Sequence, residues 1–110
     1  MAKIVFDGNS SGKMCFSLIS NNAVSVLDEA ELGKEVKIVV RDEHGSDVEI
    51  AFLVTRNVHL GERQHWLYGS VLSTDGIYRQ IEIKRYRDNP DRNSVEVFPQ
   101  APPIHLQKLR

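Results

Sequence analysis

One cysteine, four prolines and one tryptophan stand among 110 residues, and aromatic side chains make up only 7% of the chain. Cys15 has no second cysteine to pair with, so no intramolecular disulfide staples the fold. No run approaches the roughly 18 apolar residues of a membrane-spanning helix, and the opening Met1-Ala2-Lys3, followed only by Ile4 to Phe6, is too short for a secretory signal. The expectation is a soluble cytoplasmic protein with no membrane insertion. A net charge of −1 argues against a polyanion as the main partner. The balance hides an asymmetry: residues 1–55 carry five Lys/Arg against nine Asp/Glu, and residues 56–110 carry nine against six.

What is present is short apolar runs rich in Val, Ile and Phe, each bounded by turn residues, which is the pattern of strands. Lys3 to Phe6 and Lys13 to Ile19 flank the turn cluster Asp7 to Gly12. Cys15, between Met14 and Phe16, reads as a buried strand position. Ala23 to Leu27 reads as a hairpin strand after Ser20-Asn21-Asn22, and the acidic Asp28 to Leu32 as one helical turn or a loop. Lys34 to Arg41 places Val36, Ile38 and Val40 on one face, and Asp47 to Thr55 answers with Val48, Ile50, Phe52 and Val54 across the turn Asp42 to Ser46. That pair predicts an antiparallel hairpin.

Arg56 to Arg63 is polar and reads as a loop before the strand Gln64 to Ser73, whose interior Gly69 marks a bulge or bend. In Ile77 to Tyr86 the spacing of Ile77 and Ile81 fits a helix and that of Ile77, Ile81 and Ile83 fits period two; a strand is favoured because Ile and Tyr are β-formers and Ser94 to Phe98 follows as a partner. Residues 1–98 therefore form one domain, and 99–110, with Pro102-Pro103, a tail. Strands this short and this numerous predict an all-β fold: a small closed or partly open antiparallel barrel of six to eight strands.

Motif tests mostly exclude chemistry. Gly8-Asn9-Ser10-Ser11-Gly12-Lys13 has three residues between its glycines and Met14 after the lysine, where a phosphate-binding loop needs four and a Ser or Thr. His44, His59, His65 and His105 lack the short spacings of metal ligands, which leaves them surface or interface roles. Asp42, His44 and Asp47 lack the acidic ladder of a calcium loop. No nucleophile elbow is present, so no catalytic residue, metal site or cofactor is assigned, and the chain is not expected to be an enzyme.

Leu18 to Leu27, followed by Leu32-Gly33-Lys34-Glu35-Val36-Lys37-Ile38, resembles the middle of PilZ domains, and so does the later order of a hairpin strand, a loop and Tyr68-Gly69-Ser70-Val71-Leu72. The resemblance covers roughly residues 15–75 and implies a small bacterial β-barrel of a family many of whose members bind cyclic di-GMP. The family's ligand motifs are an Arg-x-x-x-Arg pair and an Asp/Asn-x-Ser-x-x-Gly turn. This chain has no Arg before Arg41 and no Arg-x-x-x-Arg anywhere, and its matching turn, Leu18-x-Ser20-x-x-Ala23, keeps only the serine. Without two guanidinium groups, bidentate recognition of phosphate and base edges is lost.

The resemblance therefore implies a degenerate member, a non-catalytic regulatory or adaptor module contacting a protein partner or a copy of itself. Aromatics and arginine dominate interface hot spots, which singles out His65, Trp66, Tyr68, Tyr78, Arg85 and Tyr86. Trp66 and Tyr68 are also candidates for filling the core, and for Trp66 that reading outweighs the interface one. The alternatives are a cyclic dinucleotide sensor using Ser20, Arg79, Arg85 and Arg87, and a single-stranded nucleic-acid binder using the aromatic and cationic residues of 78–87.

Overall fold

Alternating Val, Ile and Phe become strands in the computed structural model, which describes residues 2–3, 13–18, 26–72 and 78–99. The strands are β1 (Ala2–Lys3), β2 (Met14–Leu18), β3 (Glu35–Arg41), β4 (Asp47–Leu60), β5 (Gln64–Leu72), β6 (Tyr78–Tyr86) and β7 (Ser94–Val97). In ring order β4, β3, β2, β7, β6 and β5 each pair antiparallel with the next, and β5 pairs again with β4. The barrel is closed by six strands. β1 adds to the outer edge of β4 in parallel, through Ala2 to Val48 and Lys3 to Glu49.

Period two sorts each strand into a filled interior and a wet wall. Val36, Ile38 and Val40 of β3 meet Ile50, Phe52 and Val54 of β4, Ile81 and Ile83 of β6, and Val95 and Val97 of β7, all buried. Each such side chain contributes about 1.5–3 kcal/mol by leaving water. The turn between β3 and β4 is fixed by Asp42, whose Oδ1 accepts the backbone N–H groups of His44 and Ser46 at 2.9 Å, while Gly45 takes the positive φ of 81° that the turn requires. Asp42 thus organises a turn.

Gly69 is where β5 comes closest to the core. A Cβ there would land on the Phe52 ring, 2.8 Å from the Leu53 carbonyl oxygen and 3.1 Å from Ile81 Cγ2, so the strand can cross the ring only as glycine. The bulge lies on the neighbouring strand: pairing runs from Val54–Gly69 to Arg56–Tyr68, with one extra residue on β4.

That extra residue explains the first correction. Arg56 to Leu60 is strand and continues β4, where the sequence pattern suggested a loop. After the bulge the positions level with Leu67 and His65 are Asn57 and His59, so the strand persists while its apolar alternation stops. Three further expectations change. Residues 26–28 are helical where a hairpin strand was expected, with Leu27 fully buried; 19–25 lie outside the described residues. Cys15 is exposed, because Phe16 takes the inward position of β2. Trp66 and Tyr68 face outward, because His65 and Leu67 hold the inward parity of β5. The tail from residue 100 and the turn cluster 7–12 also lie outside the described residues.

Candidate functional site

On β6 the inward parity falls on Arg79, Ile81, Ile83 and Arg85, so a guanidinium sits at each end of an apolar pair. Arg85 lies beside His65 of β5 in register, and His65 lies beside His59 of β4. Three polar side chains therefore share one level at one mouth of the barrel. The two imidazoles stack with centroids 4.2 Å apart and planes 3° from parallel.

The protons in this cluster are determined by its one obligate donor. Arg85 Nη1 lies 3.0 Å from His65 Nδ1, and a guanidinium only donates, so Nδ1 is the unprotonated, accepting nitrogen. Nε2 then carries the hydrogen and donates to Asn57 Oδ1 at 2.6 Å, while Asn57 Nδ2 donates to the Ala30 carbonyl at 3.1 Å. The second hydrogen of Arg85 Nη1 goes to Asp28 Oδ1 at 2.7 Å. Every bond has a direction.

His65 is 0% exposed, and its pKa is lowered from 6.5 to about 4, first by burial and then by the charges of His59, Arg85 and Arg87 against the opposing pull of Asp28. It is a neutral imidazole at pH 7. The Arg85 hydrogen bond holds the Asp28 carboxyl below its ordinary range. Arg87, two residues on and of the same parity, brings Nη2 within 3.7 Å of the same Asp28 oxygen and donates from Nη1 to the Glu62 carbonyl at 3.1 Å. Both ring nitrogens of His65 are engaged, so His65 itself serves to position Arg85 and Asn57.

The segment these two hold is 26–34. Leu27 and Ala30 are buried, Gly33 N–H donates to the Val54 carbonyl at 2.9 Å, and Val54 N–H donates to the Lys34 carbonyl at 2.9 Å. With Asp28 on Arg85 and Ala30 on Asn57, it stops the mouth.

The outer wall carries the other half of the predicted residues. Lys84 Nζ stands 4.6 Å from the Trp66 ring, Arg56 Cζ 5.4 Å from Tyr68, and Arg92 Cζ 4.3 Å from Tyr86. The last contact is built by a 3₁₀ turn, Pro90–Arg92, that Asn93 ties to the end of β6 by accepting the Tyr86 N–H at 2.6 Å. Leu53 and Leu60 of β4 are exposed on the same flank.

The six residues expected at one partner surface therefore divide. Trp66, Tyr68 and Tyr86 share the outer wall of β5 and β6; Tyr78 is exposed at the far end of β6; His65 and Arg85 are buried inside. Alternation along a strand separates Arg85 from Tyr86 and His65 from Trp66. Among the nucleotide candidates, Arg79 and Arg85 are six positions apart on one strand, about 20 Å, and both are buried; Arg85 and Arg87 meet on Asp28; Ser20 lies outside the described residues. Sequence reasoning missed Asp28 and Asn57, and gave His59 only a general surface or interface role. The polar run after Val54 carried the signal for Asn57 and His59 and read as loop, while Asp28 stood in the acidic stretch 28–32 with nothing local to single it out.

Among the described residues no three His, Cys, Asp or Glu side chains gather as metal ligands, and no helix is long and apolar enough to cross a membrane. Comparison with protein-family models, curated proteins and solved structures gives no match.

Proposed function

We propose that the chain is a non-catalytic regulatory or adaptor module of the bacterial cytoplasm, PilZ-like in pattern but without the family's nucleotide clamp, that works by binding a protein partner. One observation carries the reading: Trp66, Tyr68 and Tyr86 all lie on the outer wall of β5 and β6, each with a cation on its ring. Side chains fill the barrel interior, so the recognition surface is the wall. Aromatic platforms topped by Arg56, Lys84 and Arg92, with Leu53 and Leu60 alongside, fit a partner surface that mixes carboxylates with apolar side chains.

In-cell photo-crosslinking from position 68, with position 37 on β3 as a control, tests this. The expected result is a protein adduct at 68 that is absent at 37 and is lost when Arg56 and Lys84 are both changed to Glu. An adduct with a second copy of the chain identifies the partner as itself. A nucleic-acid adduct at 68, or no protein adduct there, overturns the proposal.

A further inference from the structure

Arg85 is a buried guanidinium, and a buried cation needs an anion beside it. The anion is not supplied by the barrel wall. Asp28 supplies it from the helical turn at 26–28, with its side chain 47% exposed while that of Arg85 is 5% exposed. Two guanidiniums, those of Arg85 and Arg87, face one carboxylate oxygen, and His65 beside them is neutral. Among the described residues, the ion pairs of Arg85 and Arg87 both end on this one carboxylate.

We propose that this mouth is an oxyanion-binding site, occupied in the resting chain by the protein's own Asp28, whose ligand is a phosphate dianion that displaces that carboxylate. A dianion balances both guanidiniums where the aspartate balances one, and its oxygens can accept from both arginines at once. The seat is preformed on the rigid side: Arg85 is aimed by His65, and His65 by Asn57. Only the turn has to move. The remainder of the stopper stays tied through Ala30, Gly33 and Lys34. The site is distinct from the outer wall and does not depend on which protein docks there.

The test is titration of the folded protein with inorganic phosphate and, separately, with glycerol phosphate, at constant ionic strength set with chloride. Arginine Nε–H signals of Arg85 and Arg87 are followed by NMR. Both signals are expected to shift saturably. Asp28→Asn keeps the shape and an accepting oxygen but removes the competing charge, so half-saturation should come at a phosphate concentration lower by about tenfold or more. Arg87→Gln should weaken binding by a similar factor. Tighter binding of glycerol phosphate points to a phosphomonoester ligand, and binding of inorganic phosphate alone points to the free ion; both support the site. Absence of saturable shifts in the wild-type protein, or equal half-saturation in wild type and Arg87→Gln, overturns it. Should Asp28→Asn not fold, the wild-type and Arg87→Gln titrations decide.

Discussion

Lowering the pH from 6.5 towards 4 protonates His65 in the unfolded chain but not in the barrel. Above 6.5 both states hold the neutral ring and stability is untouched; below it the unfolded state binds a proton that the folded state refuses until about pH 4. Stability is therefore complete above 6.5 and falls through this window. A gap from 6.5 to about 4 corresponds to roughly 3 kcal/mol at about 1.4 kcal/mol per unit. For a domain of this size that is on the order of 15 °C in the melting midpoint. The Asp28 carboxyl, held below its ordinary 3.8, loses its contribution only beneath that window, so the two losses are separated in pH.

The comparison variant is His65→Gln, because the glutamine oxygen accepts from Arg85 and its amide donates to Asn57, which reproduces the bond polarity without a titrating group. Urea unfolding of both proteins across the window, with His65 followed by NMR, is the assay. Wild-type stability should fall towards that of the variant as the pH drops. Parallel curves, or a His65 that titrates near 6.5, would refute the proton assignment.

Gly69→Ala should cost about 1–3 kcal/mol in urea unfolding, because the added methyl meets the Leu53 carbonyl and the Phe52 ring, and backbone cannot yield as a side-chain tip does. A change within error would show that β5 has room there. Asn57→Ala removes the acceptor of His65 Nε2–H and the donor to Ala30, at about 1–3 kcal/mol for buried groups left unsatisfied. Its hydrogen-exchange signature is faster exchange at Ala30 and Gly33, whose N–H groups bond the Leu27 and Val54 carbonyls, and unchanged rates at those amides would contradict the stopper.

The barrel was legible wherever inward positions are apolar. Val36, Ile38 and Val40 against Ile50, Phe52 and Val54 announce a hairpin because period two and hydrophobicity coincide, whereas around Ile81 and Ile83 the spacing fits helix and strand alike and only the β-forming residue types and the following partner favour the strand. Legibility ended at Thr55. One inserted residue changes the parity of β4, and the inward side chains become Asn57 and His59, whose partners lie on other strands and on a segment 27 residues away in sequence. No local pattern encodes such a contact. Asp28, which looked like one acidic residue among several, acquires its role only because Arg85 arrives 57 residues later.

The parity of β6 bears on how the second half's basic excess should be understood. Counted along the sequence, Arg79, Lys84, Arg85, Arg87 and Arg92 look like one stripe, yet Arg79 and Arg85 point inward among Ile81 and Ile83. Lys84 and Arg92 instead rest on the rings of Trp66 and Tyr86. A cation seated on an aromatic face has fewer conformations to lose on binding than one free in water, so it adds geometric selectivity more than long-range attraction. Binding through the wall should accordingly depend on shape and on the rings, with a salt dependence weaker than the basic count suggests. The mouth, where two guanidiniums face one carboxylate in a half-dry setting, is where electrostatics dominate.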